Sequence, residues 1–469
     1  MIRRPPVAAT IATAVVGVYV LVIVGATAAL ADAAAACSGW PLCGVSLDDP
    51  ATIVGAVHRI AAGVVGVLVL TAAVVAWGSS ARRVRAALAV AVALYPIQIA
   101  VGAFVAGGVT VGPIHLLVAM TIFGALVVAL AWQLEAETGT DDPDAGSVTG
   151  TSGPTAGAKT SGVEAGTAPQ ISTETTAGSL EGLTRVRAIA SAYFRLMKPR
   201  LMWLLCLVAG AGMALAGTPS VGTVVATLGG GVLAIGASGT FNHVLERDVD
   251  RRMQRTADRP LASHEIPIRN ALAFGGVLTV GSLAAFLTVN LLAAALGLVA
   301  ITFYSVVYTL ILKPNTVQNT VLGGAAGALP ALIGYVAVAD GFGLPGVVLA
   351  CVIFLWTPAH FYNLALAYKE DYERGGFPMM PVVRGETETR KHILLYLGGT
   401  LLGASVLAAL VDFGWLYGAT TVGVGAVFLW MVVRLHREQT EAAAFRAFHA
   451  SNAYLGLLLV AIIVEALAV

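Results

Sequence analysis

Long apolar stretches separated by short polar segments dominate the chain. Apolar stretches of about 17–25 residues are long enough to cross a lipid bilayer as α-helices. The pattern predicts thirteen such spans, at about 8–31, 53–77, 86–107, 114–133, 201–217, 221–241, 271–289, 291–312, 317–338, 343–362, 394–411, 415–433 and 451–469. The sequence therefore predicts an all-α, multi-pass membrane protein.

Composition narrows the function classes. Hydrophobic residues make up 58% of the 469 residues and charged residues 11%, whereas soluble proteins average about 25% charged residues. This difference excludes a soluble enzyme, a disordered protein and a nucleic-acid binder. The net charge of +1 indicates no strongly charged partner, and four cysteines are too few for a disulfide scaffold.

The charges sort by side of the membrane. With the N-terminus in the cytoplasm, 26 of the 27 Lys and Arg residues fall in inner segments, and Arg59 is the exception. The outer loops carry acidic residues instead, namely Asp32, Asp48, Asp49, Asp340 and Asp412. Because basic residues favour the cytoplasmic side, we expect a cell-membrane protein with a cytoplasmic N-terminus.

One segment interrupts the series of spans. Residues 135–190 are acidic and rich in Thr, Ser and Gly, and such a segment buries too little apolar surface to fold. We expect a flexible cytoplasmic linker between a four-span unit, residues 1–134, and a nine-span unit, residues 191–469.

Polar residues at the end of the sixth span suggest a metal and phosphate site. Asn242, Glu246 and Asp250 are four residues apart, so on a helix they project from one stripe. Oxygen ligands of this kind suit Mg²⁺. Arg255 and Arg259 follow, and guanidinium groups suit phosphate recognition. The alternative is an ordinary solvated loop.

A second polar cluster lies in another inner loop. Asn363 and Asp371 are eight residues apart, which repeats the separation of the first cluster, and His360 and Lys369 lie nearby. Lys313 enters the same face from a third inner loop. Paired acidic helix ends that hold Mg²⁺ are what a diphosphate substrate needs, because Mg²⁺ neutralises the leaving group.

These motifs resemble a known family. The matching strings are N-x-x-x-E-x-x-x-D with M-x-R-T-x-x-R-P in 242–260, YT-x-x-LK with QN-x-VLGGAAGALP in 308–330, and H-F-x-N with DY-x-x-GG-x-P-M-M-P in 360–381. Residues 195–469 resemble the intramembrane aromatic prenyltransferases, which have nine helices and two acidic motifs on one membrane face. Within that superfamily they are most similar to the heme O synthases.

The resemblance implies transfer of farnesyl from farnesyl diphosphate to a vinyl group of heme b, giving heme O for terminal oxidases, with a cytoplasmic active site. It implies Mg²⁺ at Asn242, Glu246, Asp250 and Asp371, and diphosphate at Arg255, Arg259, Lys313 and Lys369. Candidates for stabilising the allylic cation are Tyr304, Tyr308 and Tyr362. His360 would ligate heme iron, contact a propionate, or serve as a structural histidine.

Two other functions stay open. A prenyltransferase for quinone or ether-lipid synthesis shares the metal site, but such relatives usually have Asp-rich motifs, whereas Glu246 and Gly375 stand here. A heme-binding transfer or assembly protein has no use for a diphosphate site. The remaining five histidines are expected in interfacial loops without a role, and they are His243, His264, His392, His436 and His449.

The four-span unit contains a candidate heme site. His58 and His115 lie a few residues inside the outer ends of alternate spans, and two such imidazoles can bind a heme iron axially. Cys37 and Cys43 lie in an outer loop, where a disulfide is possible. Residues 8–134 resemble one half of a heme A synthase.

That resemblance is incomplete. The family has two such halves and an acidic residue just before the His-Arg pair, whereas Val54 and Gly55 stand there. We therefore do not expect this unit to oxidise heme O. The unit would bind heme, dimerise to rebuild eight helices, or pass heme to a partner such as heme A synthase or an oxidase assembly factor. The alternative is a purely structural unit.

Overall fold

The computed structural model describes residues 6–30, 33–37, 40–41, 44–46, 48–139 and 177–468, and within them the protein consists of helices joined by turns and loops, without a strand. Thirteen helices in these ranges are long and apolar enough to span a membrane, which confirms the predicted fold class. They are α1 (Val7–Leu30), α2 (Pro50–Trp77), α3 (Arg82–Ala106), α4 (Gly112–Thr138), α5 (Pro199–Ala216), α6 (Val221–Asp250), α7 (Ile268–Leu287), α8 (Leu291–Asn315), α9 (Asn319–Ala339), α10 (Leu344–Ala367), α11 (Glu386–Leu410), α12 (Trp415–Glu438) and α13 (Glu441–Ala468).

Several helices extend beyond their apolar stretches. The apolar stretch at 221–241 predicts the end of α6 too early, since α6 continues to Asp250. Likewise α11 begins at Glu386 and α13 at Glu441, ahead of their predicted starts. Hydropathy locates only the part of a helix inside the lipid, because backbone hydrogen bonding continues into the polar turns beyond it.

Most of the five histidines expected in loops are in helices, so that prediction is wrong for four of them. The helical ones are His243 in α6, His392 in α11, His436 in α12 and His449 in α13, while His264 lies outside the helices. Nearby charged residues led to the prediction that these histidines lie in loops. The helices include those charged residues, so the histidines are helical.

The segment predicted as a linker is partly helical. A helix spans Ala177–Leu196 and includes the last residues of that segment. Residues 140–176 lie outside the described residues, so the division into two units stays a prediction.

The first four helices pack on one side of the remaining nine. Within the group, α1 contacts α2 and α4, and α3 contacts α4. Helices α1 and α4 also contact α11 and α12. The approach of α4 to α11 is close, because a Cβ added at Gly398 would lie 2.7 Å from Val127 Cγ1. At one end of this contact Glu135 pairs with Lys391 at 3.1 Å and with Arg83 at 2.8 Å.

The remaining nine helices form a bundle held together by small residues. Helix α9 packs between α5 and α10, and α6 packs against α7, α8 and α5. A Cβ added at Gly334 would lie 2.0 Å from the Ala209 carbonyl oxygen, so glycine is required where α5 meets α9. We call the face at which α6 ends and α9 begins the charged face. The segments after α6, α8 and α10 meet there.

Candidate active site

The predicted stripe on α6 is present and buried. Asn242, Glu246 and Asp250 are 2%, 5% and 2% exposed, and all three lie within the last turns of one uninterrupted helix. Their side chains therefore share one face at the end of a membrane helix. Buried carboxylates of this kind require positive partners.

Each carboxylate on the stripe has a basic partner from another segment. Lys313 Nζ, in the last turn of α8, lies 2.5 Å from Glu246 Oε1. Arg259 donates to both carboxylate oxygens of Asp250, at 2.8 and 2.9 Å. The same guanidinium lies 3.9 Å from Glu246 Oε2. The stripe is thus a compensated cluster of acids and bases rather than a solvated loop.

Asp371, from the second polar cluster, contacts the segment that follows the α6 stripe. Asp371, in the short helix Lys369–Gly375, accepts hydrogen bonds from the backbone N–H groups of Gln254 at 3.1 Å and Arg255 at 3.0 Å, and from the Arg374 side chain. Burial alone would raise the pKa of Asp371, but these hydrogen bonds outweigh it and hold the pKa below its ordinary value. Asp371 therefore fastens the segment after α10 to the segment after α6.

Aromatic rings surround the bases of this site. The Arg255 guanidinium lies 4.9 Å from the Tyr368 ring centroid and 5.6 Å from that of Tyr372, and it donates to the Tyr372 hydroxyl at 3.3 Å. Lys313 Nζ lies 4.3 Å from the Phe377 ring centroid. Cation–π contacts of this type hold cations in place without neutralising them. Both cations thus keep their charge at this site, and Lys313 does so within its ion pair with Glu246.

Lys198 is the residue that the sequence reasoning missed. It precedes α5 with φ +56°, and its ammonium donates to Asn242 Oδ1 and, at 3.2 Å, to the Tyr304 hydroxyl. Burial, opposed in part by nearby carboxylates, lowers the pKa of Lys198 to about 8. A lysine next to the proline that opens a span was the available signal, since the whole chain has only five lysines.

An apolar cavity leads from Lys198 into the bundle. It lies between α5, α6, α8 and α9, and Tyr304 forms part of its wall beside Lys198. Tyr304 lies in a π-helical segment, Phe303–Leu312, which makes α8 wider where it borders the site. Tyr362, the third tyrosine considered from the sequence, is not in the cavity wall. It packs beside His392 and Tyr396 instead.

The oxygen donors suit Mg²⁺ only together with a phosphate ligand. Across the described part of the chain, no three His, Cys, Asp or Glu side chains form a ready-made metal cage. Mg²⁺ usually binds through one or two carboxylates plus substrate phosphates, so Glu246 and Asp250 fit that requirement without a full cage. Their present partners, Lys313 and Arg259, are bases that phosphate oxygens also bind.

Comparison with known proteins identifies the family. The sequence model of the UbiA prenyltransferase family matches residues 203–458. The chain belongs to the UbiA prenyltransferase family. It is 68% identical over 458 residues to protoheme IX farnesyltransferase 1 of Natronomonas pharaonis, covering 97% of both chains. It is 62% identical to the protoheme IX farnesyltransferase of Haloarcula marismortui, covering 98% of both.

A shorter relative supports the family, and a solved structure shares the fold. Protoheme IX farnesyltransferase 1 of Saccharopolyspora erythraea is 45% identical over 285 residues, which are 60% of this chain and 91% of that protein. A solved structure of digeranylgeranylglyceryl phosphate synthase has a TM-score of 0.51 at 16% identity and covers 60% of this chain and all of its own. This likeness shows a shared fold.

Two residues predicted for the prenyltransferase site lie in other surroundings. His360 Nδ1 lies 2.6 Å from Ser451 Oγ, and its ring stacks between Trp356 and Phe448 at 4.3 and 4.4 Å. Lys369 pairs with Glu386 at 3.1 Å. These contacts are typical of structural roles, and the predicted heme and diphosphate roles of His360 and Lys369 stay predictions.

The two histidines of the first four helices lie in separate spans. His58 is in the first third of α2 and His115 is in the first turn of α4. Nδ1 of each ring is buried without a hydrogen-bond partner, while His115 Nε2 lies 3.1 Å from Gln98 Nε2. A buried imidazole nitrogen without a partner can accept a metal or a hydrogen-bond donor. Cys37 is disulfide-bonded, and Cys43 lies outside the described residues.

Proposed function

We propose that the protein transfers a farnesyl group from farnesyl diphosphate to a vinyl group of heme b. The allylic C–O bond breaks, diphosphate leaves, and a vinyl carbon forms the new bond. Water then adds to the resulting cation and loses a proton, which gives heme O. The supporting observation is the identity of 56–68% over nearly the whole chain to proteins named protoheme IX farnesyltransferase.

The charged face has the chemistry for the leaving group. Arg255, Arg259, Lys313 and Lys198 converge near the carboxylates of the α6 stripe. An entering diphosphate accepts hydrogen bonds from these bases, and Arg259 and Lys313 then release Asp250 and Glu246. Mg²⁺ bound by those carboxylates, with Asn242 and Asp371, would neutralise charge on the departing diphosphate.

The cavity has the chemistry for the allylic group. Its wall is mainly aliphatic, with Tyr304 beside Lys198 at the charged end. An apolar wall keeps water from the cation until the vinyl group attacks, and the Tyr304 ring face stabilises the cation. We infer from the sorting of basic residues that this face lies in the cytoplasm of a cell-membrane protein. A homodimer and contacts with heme A synthase or oxidase assembly factors stay predictions.

Heme analysis tests the proposed function. The full chain is expressed in a host that lacks its own heme O synthase, and extracted hemes are identified by mass. We expect heme O, dependent on farnesyl diphosphate. Heme b alone, with the protein present in the membrane, would refute the proposal, and a prenylated quinone or lipid would identify one of the alternative functions.

We predict that the fragment 177–469 makes heme O without the first four helices. The fragment contains the α6 stripe, Lys198, Lys313 and Asp371. In addition, a relative that matches only 285 residues of this chain is named protoheme IX farnesyltransferase 1. The fragment should have a lower Tm than the full chain, because α11 and α12 lose their contacts with α1 and α4. A folded fragment that is inactive with saturating substrates would show that the first four helices complete the active site.

We further propose that the first four helices bind heme between His58 and His115. The fragment 1–139, reconstituted with heme, should show a low-spin bis-histidine spectrum. Changing either histidine to alanine should give a high-spin spectrum or loss of heme. Gln98→Ala is the matched control, since Gln98 contacts His115 but is not proposed as a ligand. Absence of heme absorbance after reconstitution would exclude this site.

The same unit should not oxidise heme O, because Val54 and Gly55 stand where heme A synthases have an acid. Extracts from a host without heme A synthase should therefore contain heme O and no heme A. Heme A in those extracts would contradict this claim and leave the heme-binding claim standing.

A further inference from the structure

The cavity has a defined depth along α6. Its charged end lies at Lys198, which packs against Gly239, since a Cβ added there would lie 3.3 Å from Lys198 Cγ. The part of its wall farthest from Lys198 includes Phe286, together with Ala209, Thr227 and Ile333. Gly230, the α6 position that contacts Phe286, is nine residues from Gly239, about 14 Å along the helix. A chain of three isoprene units is of this order of length.

The Phe286 ring in this far wall has little freedom to move. Phe286 is 0% exposed. A Cβ at Gly230 of α6 would lie 3.0 Å from Phe286 Cδ1, and a Cβ at Gly297 of α8 would lie 2.6 Å from its Cδ2. The ring is therefore held between two glycines on facing helices. Such close packing resists displacement by a ligand.

One glycine in the cavity wall has free space in front of it. Gly231 lines the cavity, and a Cβ added there would meet no atom within 4 Å. Gly229, two residues earlier on the same helix, also has open space around its Cβ position but is exposed and does not line the cavity. The two glycines therefore differ in whether a larger side chain would enter the cavity.

We propose that Phe286 sets the length of the prenyl chain by closing the cavity after the third isoprene unit, and that Gly231 leaves the space that the chain occupies. The inference rests on the proposed function. It assigns donor specificity to two residues that touch neither the diphosphate nor the acidic motifs. A hydrophobic pocket discriminates by size through the atoms at its closed end.

Competition between donors tests this inference in membranes that contain the full chain. Heme b is supplied with an equimolar mixture of geranyl, farnesyl and geranylgeranyl diphosphates, and products are separated by mass. Wild type should make mainly the farnesyl product. Phe286→Ala, and to a smaller extent Phe286→Leu, should raise the ratio of geranylgeranyl to farnesyl product by about tenfold or more.

The glycine variants test the same idea without removing the ring. Gly231→Leu should lower the ratio of farnesyl to geranyl product by about tenfold, whereas Gly229→Leu should leave wild-type ratios. The two glycine variants still test the inference if the Phe286 variants do not fold.

Three outcomes separate the claims. Unchanged ratios in a folded Phe286 variant and in Gly231→Leu would overturn the inference while leaving the proposed function intact. Equal loss of selectivity in Gly229→Leu and Gly231→Leu would also overturn it, because the effect would not come from the cavity. Absence of any prenylated heme from the wild type would refute the proposed function instead.

Discussion

Replacing Asp250 with alanine is expected to lower heme O formation by about 10²–10³-fold, the usual cost of removing one electrostatic group from such a site. Asp250 is buried, and Arg259 donates to both of its carboxylate oxygens. The variant loses an oxygen donor for Mg²⁺, and Arg259 loses the group that positions it. Both losses weaken stabilisation of the departing diphosphate. The measurement is heme O formed per amount of protein in the membrane.

Asp248 provides the matched control for this prediction. It lies two residues away on the same helix, but its side chain is 67% exposed and pairs with Arg247 and Arg251. Asp248→Ala should therefore retain activity within about twofold, because exposed ion pairs contribute little. Wild-type activity in Asp250→Ala at equal expression would eliminate the proposed metal site.

Replacing Lys198 with methionine is expected to lower kcat/KM for farnesyl diphosphate by about 10²-fold, through loss of a buried positive charge at the mouth of the cavity. Lys198 lies between Asn242 and Tyr304 in the cavity wall, where we propose that the diphosphate end of the donor binds. Methionine keeps the length of the side chain and removes the charge. Arg200→Met, at an exposed base two residues later, should have little effect.

The pH profile gives a second readout for Lys198. Burial lowers the pKa of Lys198 to about 8, even though Glu246 and Asp250 partly oppose the shift and Arg259 and Arg255 add to it. The ammonium form is lost as pH rises through this pKa, so kcat/KM of the free enzyme should fall above about pH 8.

The Lys198→Arg variant should lose this alkaline limb, because a guanidinium stays protonated. An identical alkaline limb in wild type and Lys198→Arg would assign the titration to another group. Full activity in Lys198→Met would remove Lys198 from the site.

Local sequence patterns were sufficient to predict the spanning helices and the α6 stripe of the site. Thirteen apolar stretches became thirteen helices, because a segment in lipid must satisfy its backbone hydrogen bonds within itself. The stripe of Asn242, Glu246 and Asp250 followed from helical periodicity alone, since all three lie on one helix. The span ends and the positions of four histidines were wrong because helices continue past the apolar layer.

Contacts between distant segments were beyond a single sequence. Asp371 binds the amides of residues 254 and 255, more than a hundred positions away, and His360 lies beside Ser451 rather than beside an acid. The side-chain type indicates that each of these residues forms hydrogen bonds or ion pairs, but it does not indicate with which partner. Lys198 is the strongest example, because its importance arises only where α5, α6 and α8 converge.

Local sequence pattern is enough to predict how many spanning helices the described residues contain, which of their ends are charged and which acids share a stripe, since these properties depend on neighbours within about one or two helical turns. The packing of distant segments, which no local pattern reveals, sets which base pairs with each acid and brings both Lys198 and Phe286 into the wall of one cavity. Those features depend on which small residues let helices approach, and that choice is made by packing across the whole bundle.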